Sequence, residues 1–160
     1  MTTAERLEIV SHAAGHFPFL GTTTSVELQE MLQHELGHAE VLDRFVPHGD
    51  GFVRAVPPPQ ILHILAGNTP AAGLQTLIRG LVLGSHNRLK LPSDGLPCIE
   101  AFRNLLPPEM ANRVELSNNL PDEWLASADA VVVFGGDQTI EEFQRHVRPC
   151  LLYTSPSPRE

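Results

Sequence analysis

A chain of 160 residues is long enough for one domain with a sizeable core, and 42% hydrophobic against 19% charged residues is ordinary globular composition. The net charge of −8, with no clustering among the 11 Lys and Arg residues, excludes a surface built for nucleic acid or anionic membrane, since phosphate contacts need grouped cations. No apolar run reaches the roughly 18 residues that span a bilayer, and two cysteines, Cys98 and Cys150, make no disulfide framework, so a reducing cytoplasm is the expected compartment.

The first fifty residues carry helical signals. The start, MTTAERLEIV, is acidic and amphipathic, without the basic stretch or cleavage site of a signal peptide. Thr2 with Glu5 and Thr24 with Glu27 have capping-box spacing. Leu7, Ile9 and Val10 follow the first cap, and Val26, Leu28, Met31, Leu32 and Leu36 follow the second near helical period. From Gly51 the texture changes. GFVRAVP and QILHILAG read as strands, the second so continuously apolar that both its faces should be covered. TPAAGLQTLIRGLVLG reads as a helix, with Pro70 in its first turn and Gly84 as its C-terminal cap.

HNRLKLP is then a strand, PCIEAFRNLL a helix, RVELS a short strand and PDEWLAS a helical turn. ADAVVVFGG is a buried strand, and TIEEFQRHV a helix with Thr139 and Glu142 at capping-box spacing. Strands alternating with helices predict an α/β fold, a Rossmann-like parallel sheet with crossover helices. The expected organisation is a helical segment over 1–50, an α/β domain over 51–148, and a tail over 149–160. That tail, which includes LLYTSPSPRE from Leu151 on, is Ser/Pro-rich and aperiodic. It reads either as a flexible end or as non-native read-through, in which case the native chain continues beyond about residue 149.

Ligands of a parallel α/β sheet bind at the carboxyl ends of its strands, so three strand ends are candidates. LAGNTP places Asn68 at a strand-to-helix junction, where its amide could stabilise an oxyanion; the alternative is that Asn68 or Thr69 simply caps the helix. KLPSD brings Lys90, Ser93 and Asp94 to the next strand end, a set able to address a ribose or a phosphate, although Pro-Ser-Asp-Gly is also strong turn chemistry. VVVFGGDQT runs a strand through Gly135 and Gly136 into a helix N-terminus, a generic seat for a pyrophosphate on backbone N–H groups. Neither G-x-G-x-x-G nor G-x-x-x-x-G-K-[ST] occurs.

The order and spacing of these pieces carry more than any one of them. ILAGNTPAAGLQTLIRGLVLGSHNRLKLPSD followed by ADAVVVFGGDQTIEEF resembles the acyl-CoA reductase family, the fatty-acid reductases of bacterial luminescence systems, within the aldehyde dehydrogenase superfamily. The resemblance covers about residues 50 to 148 and implies an N-terminal piece of an NADPH-dependent acyl-CoA reductase, with an incomplete sheet of the aldehyde dehydrogenase type. It implies that Asn68 helps hold the thioester oxygen, and that Lys90 and Ser93 meet the adenosine ribose or its 2′-phosphate. Asp94 then stands near the acidic position that binds a ribose diol in relatives preferring NAD, and Gly135 and Gly136 form the turn beneath the pyrophosphate or nicotinamide. Leu91 intervenes between Lys90 and Pro92, which leaves NADH open beside NADPH.

The same resemblance implies an acyl-CoA or acyl-carrier thioester as substrate, a fatty aldehyde as product, attack by a cysteine thiolate, and a homo-oligomer at full length. The nucleophile would lie well downstream of the glycine turn, which is the position of neither Cys98 nor Cys150. Two other readings stand beside this one. The chain could be part of another oxidoreductase of the superfamily, or a nucleotide-binding domain without catalysis.

HELGH at 34–38 is the pattern of a zinc protease, with His34 and His38 on one helical face and Glu35 as base. A working site needs a third ligand. The metzincin continuation would put histidine at position 44, where Arg44 stands, and no glutamate occurs between Glu40 and Glu100. His48 and Asp50 lie on a glycine-containing turn. The segment is therefore read as a solvated helical face, with no metal.

Overall fold

The computed structural model describes residues 1–21 and 23–146; Cys150 and the tail expected over 149–160 lie outside the described residues. The chain opens with helix α1, Thr3–Ala14, a short 3-10 helix at Pro18–Leu20, and α2, Ser25–Leu36. Both long helices start on the capping boxes read from the sequence. The Thr2 and Thr24 hydroxyls accept from the Glu5 and Glu27 N–H groups at 3.3 and 3.2 Å, and the two glutamates reach back to the cap N–H groups.

Two short strands follow, β1 (Val46–His48) and β2 (Gly51–Val53), paired antiparallel as a ribbon of their own. The first of these lies within the segment expected to be helical, and the strand expected over GFVRAVP is only three residues long and stands apart from the parallel sheet. A hairpin of three-residue strands leaves no periodic trace, because two or three alternating positions cannot be told from a loop.

The main sheet has four parallel strands, β3 (Gln60–Ile64), β4 (His86–Lys90), β5 (Val114–Ser117) and β6 (Ala130–Val133), in the spatial order β5-β4-β3-β6. Helix α3 (Pro70–Leu83) connects β3 to β4, α4 (Pro97–Leu105) and the single turn α5 (Pro108–Ala111) connect β4 to β5, and α6 (Asp122–Ser127) connects β5 to β6. Helix α7, Asp137–His146, closes the described chain. It begins at Asp137, so Thr139 lies within the helix and not at its N-cap position. Pro70 and Gly84 do bound α3 as expected, the glycine with φ 83° in the left-handed region.

Both sheet faces are covered, which is why the central strand β3 and its neighbour β6 are largely apolar. On one face Leu65, Leu89, Leu91 and Val114 pack with Leu74, Leu77 and Leu81 of α3 and Ile99 and Phe102 of α4. The N-terminal helices belong to the same core, through Leu7, Val10 and Ala13 of α1, Leu28 and Leu32 of α2, and Phe17, whose ring lies 5.8 Å from that of Phe102. Arg6 fastens α1 to the end of α3 by donating to the Val82 carbonyl at 2.8 Å. On the opposite face Leu62, Ile64 and Val131 meet Trp124 of α6, with Phe143 of α7 beside them. Val26 and Leu36, expected inside by their spacing, are 61% and 37% exposed, so α2 buries a narrower stripe than its composition suggests.

Candidate functional site

Strand register sets the level at which each loop leaves the sheet. Ile64 of β3 pairs with Lys90 of β4 on one side and Val133 of β6 on the other, and Lys90 pairs with Ser117 of β5. One line of backbone hydrogen bonds then runs across the carboxyl edge. Phe134 N–H donates to Ile64 at 2.8 Å, Leu65 N–H to Lys90 at 3.0 Å, and Leu91 N–H to Ser117 at 2.8 Å. The segments holding Asn68, Lys90 to Asp94, and Gly135 with Gly136 therefore leave the sheet side by side. Between β3 and β6 the direction of connection reverses, since β4 and β5 are added on one side of β3 and β6 on the other. Such a reversal opens a crevice at the carboxyl edge, and a ligand lying there would be flanked by the loops after β3, β4 and β6.

Asn68 and Thr69 are exposed in the loop after β3. Thr69 occupies the N-cap of α3 without a side-chain cap bond, and no capping bond from Asn68 occurs among the described residues. Pro70 removes one donor from the first turn of α3, whose N-terminus follows the loop after β3. Gly67 runs against the neighbouring loop, where a Cβ on it would stand 3.5 Å from the Pro92 Cβ.

Along β4 the side chains alternate. Leu89 and Leu91 enter the α3/α4 core, whereas Arg88 lies over Trp124 at 5.7 Å and donates to Ser127 Oγ at 2.7 Å. Lys90, the one lysine of the sequence, is two residues beyond Arg88 and shares its face, half-buried at the carboxyl edge. Among the described residues it has no ion-pair partner, which leaves its charge available to an anion. Ser93 and Asp94 are exposed on a tight turn in which Gly95 N–H donates to Pro92 at 2.9 Å, with Gly95 at φ 72°. The turn chemistry read from Pro-Ser-Asp-Gly is thus real and coexists with its place at the strand end. Asn118, which sequence reasoning passed over, donates through Nδ2 to both Pro92 and Ser93 carbonyls, at 3.1 and 3.2 Å. It lies 25 residues from Ser93, and only the β4–β5 pairing reveals the link. Gly135 and Gly136 are exposed beyond β6, with open space above Gly136.

The other candidate groups lie elsewhere. Cys98 sits in the first turn of α4, partly buried, and burial pushes its thiol up, the reverse of what a thiolate nucleophile needs. His63 is sealed between β3 and α3, its Nδ1 at 3.0 Å from Thr76 Oγ1 and its Nε2 at 3.0 Å from Asn87 Oδ1; burial drives its pKa down to about 4. In HELGH the helix ends between the two histidines. Gly37 takes φ 82° as the C-cap of α2, so His38 lies beyond the helix and is not one turn on from His34. This corrects the reading of 34–38 as one helical face. Glu35, exposed, pairs with Arg79 of α3 at 3.4 Å, and no group of three or more metal-ligating side chains occurs among the described residues.

A family profile described as Acyl-CoA reductase (LuxC) matches residues 19–152, most of the chain. The chain belongs to the acyl-CoA reductase (LuxC) family. It is similar to the long-chain acyl-protein thioester reductase of Vibrio harveyi, 27% identical over 131 residues that cover 74% of this chain and 28% of that protein. It is also similar to that of Photobacterium phosphoreum, at 26% identity over 131 residues covering 74% and 27%, and to that of Photorhabdus luminescens, at 25% over 136 residues covering 76% and 28%. The chain thus spans somewhat over a quarter of the length of these relatives. All the candidate residues at the carboxyl edge fall within the stretch that matches the family profile. Among the described residues no helix is long and apolar enough to cross a membrane.

Proposed function

We propose that this chain is the nicotinamide-binding part of a reductase that converts a fatty acyl thioester, carried on CoA or on a protein, to an aldehyde. The observation that carries the proposal is the shared carboxyl edge. A single line of backbone bonds brings out three loops beside a reversal in strand order, and at that edge stands a lysine that has no ion-pair partner among the described residues. In this reading the sheet is of the aldehyde dehydrogenase type, residues 51–148 form the cofactor domain, and the helical segment over 1–50 is built onto it.

The residues present fit a dinucleotide. Lys90 and Ser93 hold the adenosine ribose or its 2′-phosphate, Asp94 stands by the ribose diol, and the exposed turn at Gly135 and Gly136 lets the pyrophosphate or nicotinamide approach the backbone. The β4 and β6 loops lie on either side of β3, roughly 10 Å from each other, two strand spacings, which is a suitable span for an extended ligand. When bound, NADPH supplies the hydride that reduces the acyl carbon. Asn68 orients the acyl group by donating its amide, which makes no hydrogen bond among the described residues, to the carbonyl oxygen and stabilises negative charge that develops there. Cys98 takes no part, since burial pushes its thiol up, away from the thiolate that a nucleophile needs.

The test is titration of the 160-residue chain with NADPH, followed by nicotinamide fluorescence, for the native sequence and for Lys90→Ala. The native chain should bind, and the substitution should weaken binding by about tenfold, the effect of losing one charge-assisted contact. A well-folded chain that binds neither NADPH nor NADH would overturn the reading.

A further inference from the structure

We infer that Asn118 is a positioning residue for the cofactor site, acting through the turn that carries Lys90, Ser93 and Asp94. The inference rests on the nicotinamide-binding reading above and adds a residue to it.

The turn from Pro92 to Gly95 has little else to hold it in place. Its internal bond, Gly95 N–H to Pro92, closes the turn but does not fix where it points. Ser93 and Asp94 are exposed, and their side chains make no hydrogen bond among the described residues. Leu91 anchors one end in the core and Leu96 the other, leaving the four residues between them to swing about these two points. Asn118 supplies the missing constraint. It follows directly after β5, and one Nδ2 reaches two successive carbonyls, Pro92 at 3.1 Å and Ser93 at 3.2 Å. Two acceptors on one donor group set both the height of the turn above the sheet edge and its rotation about the strand axis.

Asn118 is itself held in register. Ser117 pairs with Lys90, the Ser117 carbonyl accepts from Leu91 N–H at 2.8 Å, and the Ser117 hydroxyl accepts from Asn119 N–H at 3.1 Å. The backbone before Asn118 is therefore pinned to the strand that carries the lysine, and the residue after it is tied back to Ser117. A carboxylate of the same size cannot do this work. It has no N–H to donate at neutral pH and would face two carbonyl oxygens. Because Asn118 is exposed and contributes nothing to either core, its removal leaves the fold intact and frees only the turn.

Three variants of the 160-residue chain test this: Asn118→Ala, Asn118→Asp, and the neighbouring control Asn119→Ala. Dissociation constants for NADPH and NADH are measured for each, together with hydrogen exchange at the Gly95 amide in the absence of cofactor. Both Asn118 variants should weaken NADPH by about tenfold, the effect of one to two lost hydrogen bonds, and should move the NADPH-to-NADH ratio towards one, since the freed turn addresses the ribose 2′ position. Exchange at Gly95 should quicken in both and stay unchanged in Asn119→Ala, with the unfolding midpoint preserved in all three. Equal loss of the two cofactors together with a lowered midpoint would mean a merely structural role and would overturn the inference. So would unchanged affinity or unchanged exchange in Asn118→Asp. If the native chain binds neither cofactor, the nicotinamide reading fails as well, an outcome distinct from native binding that Asn118→Ala leaves untouched.

Discussion

Acid should destabilise this protein through His63 before its carboxylates are protonated. The imidazole is 1% exposed and satisfied on both nitrogens in its neutral form, with Nε2–H donating to Asn87 Oδ1 and Nδ1 accepting from the Thr76 hydroxyl. Asn87 is oriented by its own donation to the Ser85 carbonyl at 2.8 Å, which leaves its oxygen towards His63. A charged imidazolium there would lose its hydration with no anion in return, and burial accordingly lowers the pKa from 6.5 to about 4. The sign follows from proton binding. Above pH 6.5 both folded and unfolded chains hold His63 neutral and nothing changes. Between pH 6.5 and 4 the unfolded chain takes up a proton that the folded chain refuses, so stability falls by about 1.4 kcal/mol per pH unit and levels off below pH 4. The full loss is about 3 kcal/mol, of which roughly 2.5 kcal/mol appears between pH 7 and 4.5, a large share of an ordinary domain's stability.

Urea unfolding across that pH range, compared for the native chain and His63→Gln, isolates the term. The difference between the two should shrink as pH falls, because only the native chain carries the titrating group. An NMR titration should find His63 neutral with Nε2 protonated down to about pH 4. Parallel pH profiles for the two proteins, or an imidazole titrating near 6.5 in the folded state, would refute the reasoning.

Gly80→Ala should destabilise by about 2 kcal/mol even though alanine is the better helix former, because steric overlap and a lost buried hydrogen bond outweigh the propensity gain. A Cβ at Gly80 would stand 1.8 Å from Asn87 Oδ1, forcing that side chain off His63; a urea midpoint at or above the native value would show that the network can shift freely. Dialysis against zinc should leave no stoichiometric metal, since Gly37 turns the chain between His34 and His38. One tightly held zinc per chain, lost in His34→Ala, would show that the helix can continue through the glycine.

Much of the carboxyl edge was legible in the sequence because a parallel sheet with crossover helices puts every strand-to-helix junction at the same end. Finding LAGNTP, KLPSD and FGG at such junctions was therefore enough to expect Asn68, Lys90 and Gly135 at one edge. The two capping boxes and the bounds of α3 were equally readable, since each depends on residues within one or two turns. The signal at Gly37 was present too, a glycine inside the HELGH pattern, but two histidines at zinc spacing outweighed it in the reading of 34–38 as one face. The β1–β2 ribbon left no trace because three-residue strands have no period.

The sequence by itself determined the four strands of the main sheet, most of the helices and where the polar residues of the candidate site enter, because hydrophobic period, caps and turn residues act over a few positions. Only the tertiary structure decided the strand order β5-β4-β3-β6 and hence the reversal beside β3. It also decided the neutral state of His63 against α3, and the reach of Asn118 across to the turn after β4. Each of these joins residues 13 or more positions apart through pairing or packing, and local preference carries no information about which distant partner will be met.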